Sequence, residues 1–225
     1  MAKIGITVFP GSNCERDVYY VLKNLLNVDV EYIWYKSSVD NFDSIIIPGG
    51  FTYGDRLRAG AIAAHSEIMN KIVEKAEDNV PILGICNGFQ ILVESQLLPG
   101  ALILNDSLEF ICKWVNVTVA NNRTPFTNLL DKGSLFSIPI AHGEGKYVTE
   151  PNIINQIKED NQIVLQYNDD NPNGSLSRVA AICNKKGNVM GMMPHPERGS
   201  DPDLVPEGFD NRSILIFKSL INYLK

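Results

Sequence analysis

A chain of 225 residues, 44% of them hydrophobic, is long enough to bury a full core and fits one large domain, residues 1–225. The formal net charge of −6 argues against a general nucleic-acid binder, which carries a basic face. No apolar run approaches the roughly 18 residues of a membrane span, and Met1-Ala2-Lys3 leads directly into a strand-like run, so neither a transmembrane helix nor a signal peptide is expected. Cys14, Cys86, Cys112 and Cys183 lie far apart with no C-x-x-C pair. That spacing gives no zinc site, and reduced thiols in the cytoplasm are the simpler expectation.

Lys3 to Phe9 reads as a buried strand ending in Pro10-Gly11-Ser12-Asn13. A helix is predicted from about Cys14 to Asn27, with Val18, Val21, Leu22, Leu25 and Leu26 as its apolar stripe. Val28 to Tyr35 is a second strand and Ile45 to Ile47 a third, closed by Pro48-Gly49-Gly50. A second helix is predicted from Ala59 to about Glu77, with Ile62, Ile68, Ile72 and Val73 inward. Ile82 to Ile85 then has the length of a buried strand, and Phe89, Leu92 and Val93 resume helical spacing. This alternation predicts an α/β fold with a mostly parallel central sheet flanked by helices.

The second half is richer in strands. Phe110 to Val119, Leu135 to Ile140 and Ile163 to Tyr167 are β-like, and Thr149-Glu150-Pro151 is a helix start. Val179 to Cys183 and Val189 to Met193 flank the turn residues 184–188 as a hairpin. The polar stretch Asn168 to Ser175 reads as a loop, and Asp210 as the cap of a closing helix bearing Ile214, Phe217, Ile221 and Leu224. An antiparallel layer added to the parallel sheet is the predicted architecture.

Cys86 sits at the switch from strand to helix, between Gly84 and Gly88. Gly-x-Cys-x-Gly is the cysteine form of a nucleophile elbow, a sharp turn that lifts one side chain above the sheet. Amides at the following helix N-terminus favour a thiolate and can cradle an oxyanion. A cysteine beside an apolar run is more often plain core, so the elbow needs a base. Met193-Pro194-His195-Pro196-Glu197 offers one: Pro196 biases His195 toward extended backbone, where residues two apart face the same side. A histidine oriented by a carboxylate is the base half of a nucleophilic triad.

Gly84-Ile85-Cys86-Asn87-Gly88-Phe89-Gln90 with His195-Pro196-Glu197 resembles the class I (triad) glutamine amidotransferases. The segments 9–17, 48–60, 98–102, 141–145 and 191–198 resemble, more narrowly, the glutaminase-subunit family of phosphoribosylformylglycinamidine synthase. The resemblance implies a flavodoxin-like fold of that class and a division of labour. Cys86 would attack the amide of L-glutamine, His195 would move the protons, and Glu197 would fix the imidazole. Backbone amides of Gly50 and Asn87 would hold the oxyanion, while Gly49, Gln90 and His142 would contact the substrate. No metal and no cofactor are expected on this chain. ATP and Mg would bind a PurL-like synthetase subunit, accompanied by a small PurS-like subunit. Segment 48–60 lacks the Gly-Lys-Ser/Thr ending of a nucleotide-binding loop, in keeping with ATP on another chain.

Two other readings stand beside this one. An elbow-cysteine hydrolase or glyoxalase-like protein tends to have His directly after the cysteine, where this chain has Asn87. A catalytically silent regulatory subunit has no reason to keep Cys86, His195 and Glu197 together. Cys14 is a rival thiol at a helix start but lacks an adjacent His-x-Glu, and reads as a helix-start or interface residue. Arg56 and Arg58 read as partner-facing or solvated charges, and Gln96 stands where a helix end favours glycine.

Overall fold

The computed structural model describes residues 2–168 and 170–225; Met1 and Asp169, the latter within the predicted polar loop, lie outside the described residues. Among the described residues the first half runs β1 (Lys3–Val8), α1 (Glu15–Tyr20), β2 (Asp29–Trp34), β3 (Ser44–Ile47), α2 (Ala61–Ala64), α3 (Glu67–Glu77), β4 (Ile82–Ile85) and α4 (Asn87–Glu94). The second half continues with β5 (Ala101–Ile103), β6 (Ile111–Val119), β7 (Leu135–His142), β8 (Lys146–Val148) and α5 (Pro151–Glu159). It closes with β9 (Ile163–Tyr167), β10 (Val179–Cys183), β11 (Val189–Met192) and α6 (Ile214–Tyr223).

One nine-stranded sheet runs in the order β2-β1-β3-β4-β11-β10-β9-β6-β7. From β2 to β11 all neighbours are parallel, and from β11 to β7 all are antiparallel. Parallel strands buried on both faces need unbroken apolar runs. Ile45, Ile46, Ile47, Ile82, Leu83 and Ile85 supply them, each wholly buried. This is the predicted α/β class, and the antiparallel strands continue the edge of the same sheet. A small two-stranded antiparallel sheet, β5 with β8, stands apart and has no counterpart in the predicted elements.

β11 is the seam. It pairs in parallel with β4 and antiparallel with β10, so it belongs to both halves. Backbone leaving the C-terminal ends of β1, β3, β4 and β11 therefore converges on one rim. In open α/β sheets that rim is where ligands bind.

Three predicted elements differ in detail. The first helix keeps α-geometry only to Tyr20 and widens into a π turn over Val21–Leu25, closed by Leu26 N–H to the Val21 carbonyl at 3.0 Å. The predicted helix 59–77 is two helices, because Ser66 takes extended backbone and spends its hydroxyl on the Ala63 carbonyl. In consequence Met69 is buried while Ile62 and Val73 are only half-buried. Asp210 does not cap α6; it accepts from the Arg212 amide at 2.9 Å in the preceding turn, and Ser213 stands at the helix start.

Candidate active site

The chain turns at Cys86 with φ 51° and ψ −105°, a conformation costing an L-residue of order 1–3 kcal/mol. The turn is held from both sides. The Cys86 amide donates to the Met192 carbonyl at 2.7 Å, and its carbonyl accepts from the Gln90 amide at 3.1 Å. Gly88 is there for space: a Cβ on it would lie 1.9 Å from the Ile47 carbonyl oxygen. α4 thus packs directly on β3, and Asn87 becomes its first residue, whose amide has no acceptor within the helix.

The Asn87 side chain is wholly buried and ties the elbow to its surroundings. Its Oδ1 accepts from the Thr52 amide at 3.1 Å, and its Nδ2 donates to Gln90 Oε1 at 2.8 Å and to Asp55 Oδ1 at 3.4 Å. Gln90 in turn donates from Nε2 to the Glu144 carbonyl at 2.7 Å. Gln90 lines the cavity, as expected of a substrate contact, but its amide is engaged at both ends by the protein.

Past β11 the His195 amide donates to the Pro139 carbonyl on β7 at 2.8 Å, and His195 is extended, as Pro196 requires. Residues Pro196–Gly199 then form a 3₁₀ turn. The meeting of His195 with Glu197 comes from that turn, not from the extended alternation expected. His195 Nδ1 donates to Glu197 Oε1 at 2.6 Å, with both side chains almost completely buried. Burial alone would lower the His195 pKa. The Glu197 carboxylate and the Cys86 sulfur overcome it and hold the imidazole well above its ordinary value.

Cys86 and His195 line the same cavity, of about 240 Å³, with Gly50, Gln90, His142 and Glu144. That is below the roughly 300–1,000 Å³ of sites for drug-sized ligands and suits a smaller one. Gly49 sits where the groups meet: a Cβ there would be 2.9 Å from His195 Cε1, 3.1 Å from Cys14 Sγ and 3.5 Å from Cys86 Cβ. The thiol and the imidazole are not hydrogen-bonded. Cys86 Sγ lies 3.6 Å from the Ala141 carbonyl, and His195 Nε2 is buried without a partner.

Residues 1–224 match the family described as the CobB/CobQ-like glutamine amidotransferase domain. The chain belongs to that family. It is 45% identical to a chain in the structure of PurLQS from Thermotoga maritima, covering 100% of both chains with a TM-score of 0.90. A glutamine amidotransferase structure from the same organism shares the fold at 13% identity, with a TM-score of 0.62 over 99% of this chain and 97% of that one.

Other residues of this amidotransferase domain were not visible as site residues in its sequence. Cys14 is buried at the head of α1, with Sγ 4.0 Å from His195 Nδ1 and 3.1 Å from the donating Arg198 Nη2. It therefore does stand beside a His-x-Glu, the one serving Cys86. Cys14, His195 and Glu197 form a three-ligand cluster within 4.8 Å. The Arg198 guanidinium on the sulfur, and the commitment of Glu197 Oε1 to the imidazole, make it a poor seat for a metal cation.

His142 is also buried in the cavity wall. Asn105 Oδ1 accepts from the Gly145 amide at 3.0 Å and faces His142 Nδ1 at 3.2 Å, which assigns the ring proton to Nδ1. Burial, then repulsion from His195, lowers the His142 pKa to about 4. The ring is neutral at pH 7, with Nε2 an unpartnered acceptor. Arg58 is not a site residue; it pairs with Glu94 through two bonds of 2.6 and 2.5 Å at the surface.

Proposed function

We propose that the chain is a PurQ-like glutaminase subunit that hydrolyses glutamine through a Cys86 thioester and passes ammonia to a synthetase. The observation that carries this reading is the buried His195–Glu197 pair, whose free Nε2 opens on the cavity that holds Cys86. In the first step Cys86 Sγ gives its proton to His195 Nε2 and attacks the side-chain amide carbon of glutamine. The Gly50 and Asn87 amides receive the developing oxyanion. The imidazolium protonates the departing nitrogen, ammonia leaves, and a γ-glutamyl thioester remains. Water then attacks the thioester with His195 as base, releasing glutamate and the thiol. Glu197 keeps Nδ1 protonated throughout, so that Nε2 does the proton transfer. Asn87 at the position after the nucleophile disfavours the hydrolase and glyoxalase-like alternative, because its side chain is consumed in fixing the elbow.

The full-length similarity to a chain of PurLQS supports a partner of PurL type and a PurS-like third subunit, in the cytoplasm. ATP and Mg would act on the synthetase, converting formylglycinamide ribonucleotide to phosphoribosylformylglycinamidine in purine biosynthesis. The cavity mouth fits a docking surface: Phe51, Leu104 and Phe110 are each about half exposed on it, and Leu57 and Leu108 are more exposed still. The deciding experiment is labelling with 6-diazo-5-oxo-L-norleucine, a glutamine-mimicking alkylator. One adduct on Cys86 is expected, and an adduct on Cys14 would overturn the assignment. Cys86→Ala should abolish synthesis from glutamine and spare synthesis from free ammonia by the assembled complex.

A further inference from the structure

The same cavity holds a feature that the triad chemistry does not use. Asp55 and Glu144, from the loops after β3 and β7, both line it close enough for their carboxylates to repel. Among the described residues neither carboxylate has a cationic partner within salt-bridge distance. The nearby guanidiniums are committed elsewhere, Arg58 to Glu94 and Arg198 to Cys14 and Asp17. Two half-buried carboxylates facing each other without a cation are unfavourable as they stand. The burial of Asp55, and after it the charge of Glu144, raises the Asp55 pKa to about 6.

Both groups are indexed to the nucleophile. Asp55 is tied to the elbow by Asn87 Nδ2, and the Glu144 backbone is tied to it by Gln90 Nε2. The Asp55 loop is held in shape at some cost, with Tyr53, Asp55 and Leu57 all in left-handed backbone. Chains keep such conformations only where their surroundings enforce them. The cavity also carries independent signs of an absent polar ligand: His142 and His195, each about 2% exposed, have Nε2 atoms with no partner.

We propose that Asp55, with Glu144 beside it, receives the α-ammonium group of the substrate amino acid and so makes the site specific for glutamine over simple carboxamides. The proposal rests on the glutaminase reading above. A free amino acid with its amide at Cys86 carries a cation at the far end of a short side chain. The cluster Asn87–Gln90–Asp55–Glu144 sets two carboxylates at a fixed reach from the nucleophile for that cation. A bound ammonium between them replaces repulsion with charge-assisted hydrogen bonds. Simple amides without the cation gain none of this, and a buried polar pair left unmatched is how a site rejects a near-substrate.

The test measures ammonia release from L-glutamine and from glutaramate, which is glutamine without its α-amino group, using the full chain assembled with its synthetase. Wild type should prefer glutamine. Asp55→Asn should lower kcat/KM for glutamine about 10- to 100-fold, the range for a lost charged hydrogen bond. The loss should be confined to glutamine, so that the preference over glutaramate collapses, and Asp55→Glu should restore part of it. The melting temperature of Asp55→Asn should not fall, because the substitution removes a repulsion. An equal loss on both substrates, an unchanged kcat/KM for glutamine, or a lowered melting temperature would assign Asp55 to loop structure and overturn the proposal. No ammonia from glutamine with wild type, alone or assembled, would instead sink the glutaminase reading itself.

Discussion

Glu197 has one task in this geometry: it holds a ring proton on Nδ1, so Nε2 must serve the thiol. Glu197→Gln keeps the size and can still hydrogen-bond, but it loses the charge that stabilises the imidazolium. Turnover with glutamine in the assembled complex should fall about 100-fold or more with KM little changed, equivalent to at least ~2.7 kcal/mol of transition-state stabilisation. An unchanged kcat would reduce Glu197 to a structural carboxylate. His142 and Asp55 make a prediction about pH. The folded pKa of His142, about 4, lies below the ordinary 6.5, so the unfolded chain binds a proton that the folded chain refuses. Its stabilising effect is complete above pH 6.5 and is lost as pH falls through about 4, a total of about 3 kcal/mol. Asp55 has the opposite sign: raised to about 6 from 3.8, it favours the fold at low pH and loses that contribution as pH rises through 6. Its half-exposed setting makes the effect the smaller of the two. The urea midpoint of His142→Gln should therefore fall less between pH 7 and 4.5 than that of wild type. Among site residues, Cys86, His195 and Glu197 were legible in sequence because their chemistry comes packaged in short motifs. Asn105 and Cys14 were not, since their partners stand 37 and 181 residues away and no local pattern encodes such a meeting.

At the scale of elements, the sequence shows strands well and helix interiors less well. Unbroken Ile/Leu runs can only be buried strands or core, and the glycines around Cys86 mark a turn whose reason is a measurable closeness to Ile47. The break between α2 and α3 was hidden because Ala and Ile spacing stays helical across it, while one serine diverts the backbone. β5 and β8, three residues each, are too short to show a period of their own. Gln96 is an instructive case. Glycine was expected there from the helix end, and the structure puts Gln96 in left-handed backbone at φ 62°. Gln96→Gly should relieve that strain and stabilise the protein by about 0.5–1 kcal/mol, raising the melting temperature by roughly 1–4 °C. A lowered melting temperature would show that the Gln96 side chain contributes more than its backbone costs.

For the whole molecule, the unmade contact between Cys86 Sγ and His195 Nε2 and the apolar rim point the same way. Ammonia released into water at neutral pH is mostly protonated and lost as a nucleophile, so an idle glutaminase wastes substrate. The isolated chain should turn over glutamine slowly and should accelerate at least tenfold when the synthetase, ATP and the ribonucleotide acceptor are supplied. Steady-state glutamate production with and without those components decides it. Full activity of the isolated chain would mean that no partner is needed to close the site. Leu57→Asp, on the most exposed apolar residue of that loop, should weaken binding to the synthetase without disturbing the fold.

The place of β11 has a consequence for how the protein comes into being. Residues 189–192 are the last strand of the sheet to leave a ribosome, yet they occupy its middle. Until they arrive, β2-β1-β3-β4 and β10-β9-β6-β7 are two separate half-sheets, each with a bare edge at β4 or β10. Exposed edges of that kind invite pairing with other chains. Insertion of β11 seals both edges in one event. The same event joins the Cys86 amide to Met192 and carries His195, three residues further on, to the thiol's cavity. A nascent or misassembled chain therefore cannot squander glutamine, because the nucleophile meets its base only when the sheet is closed.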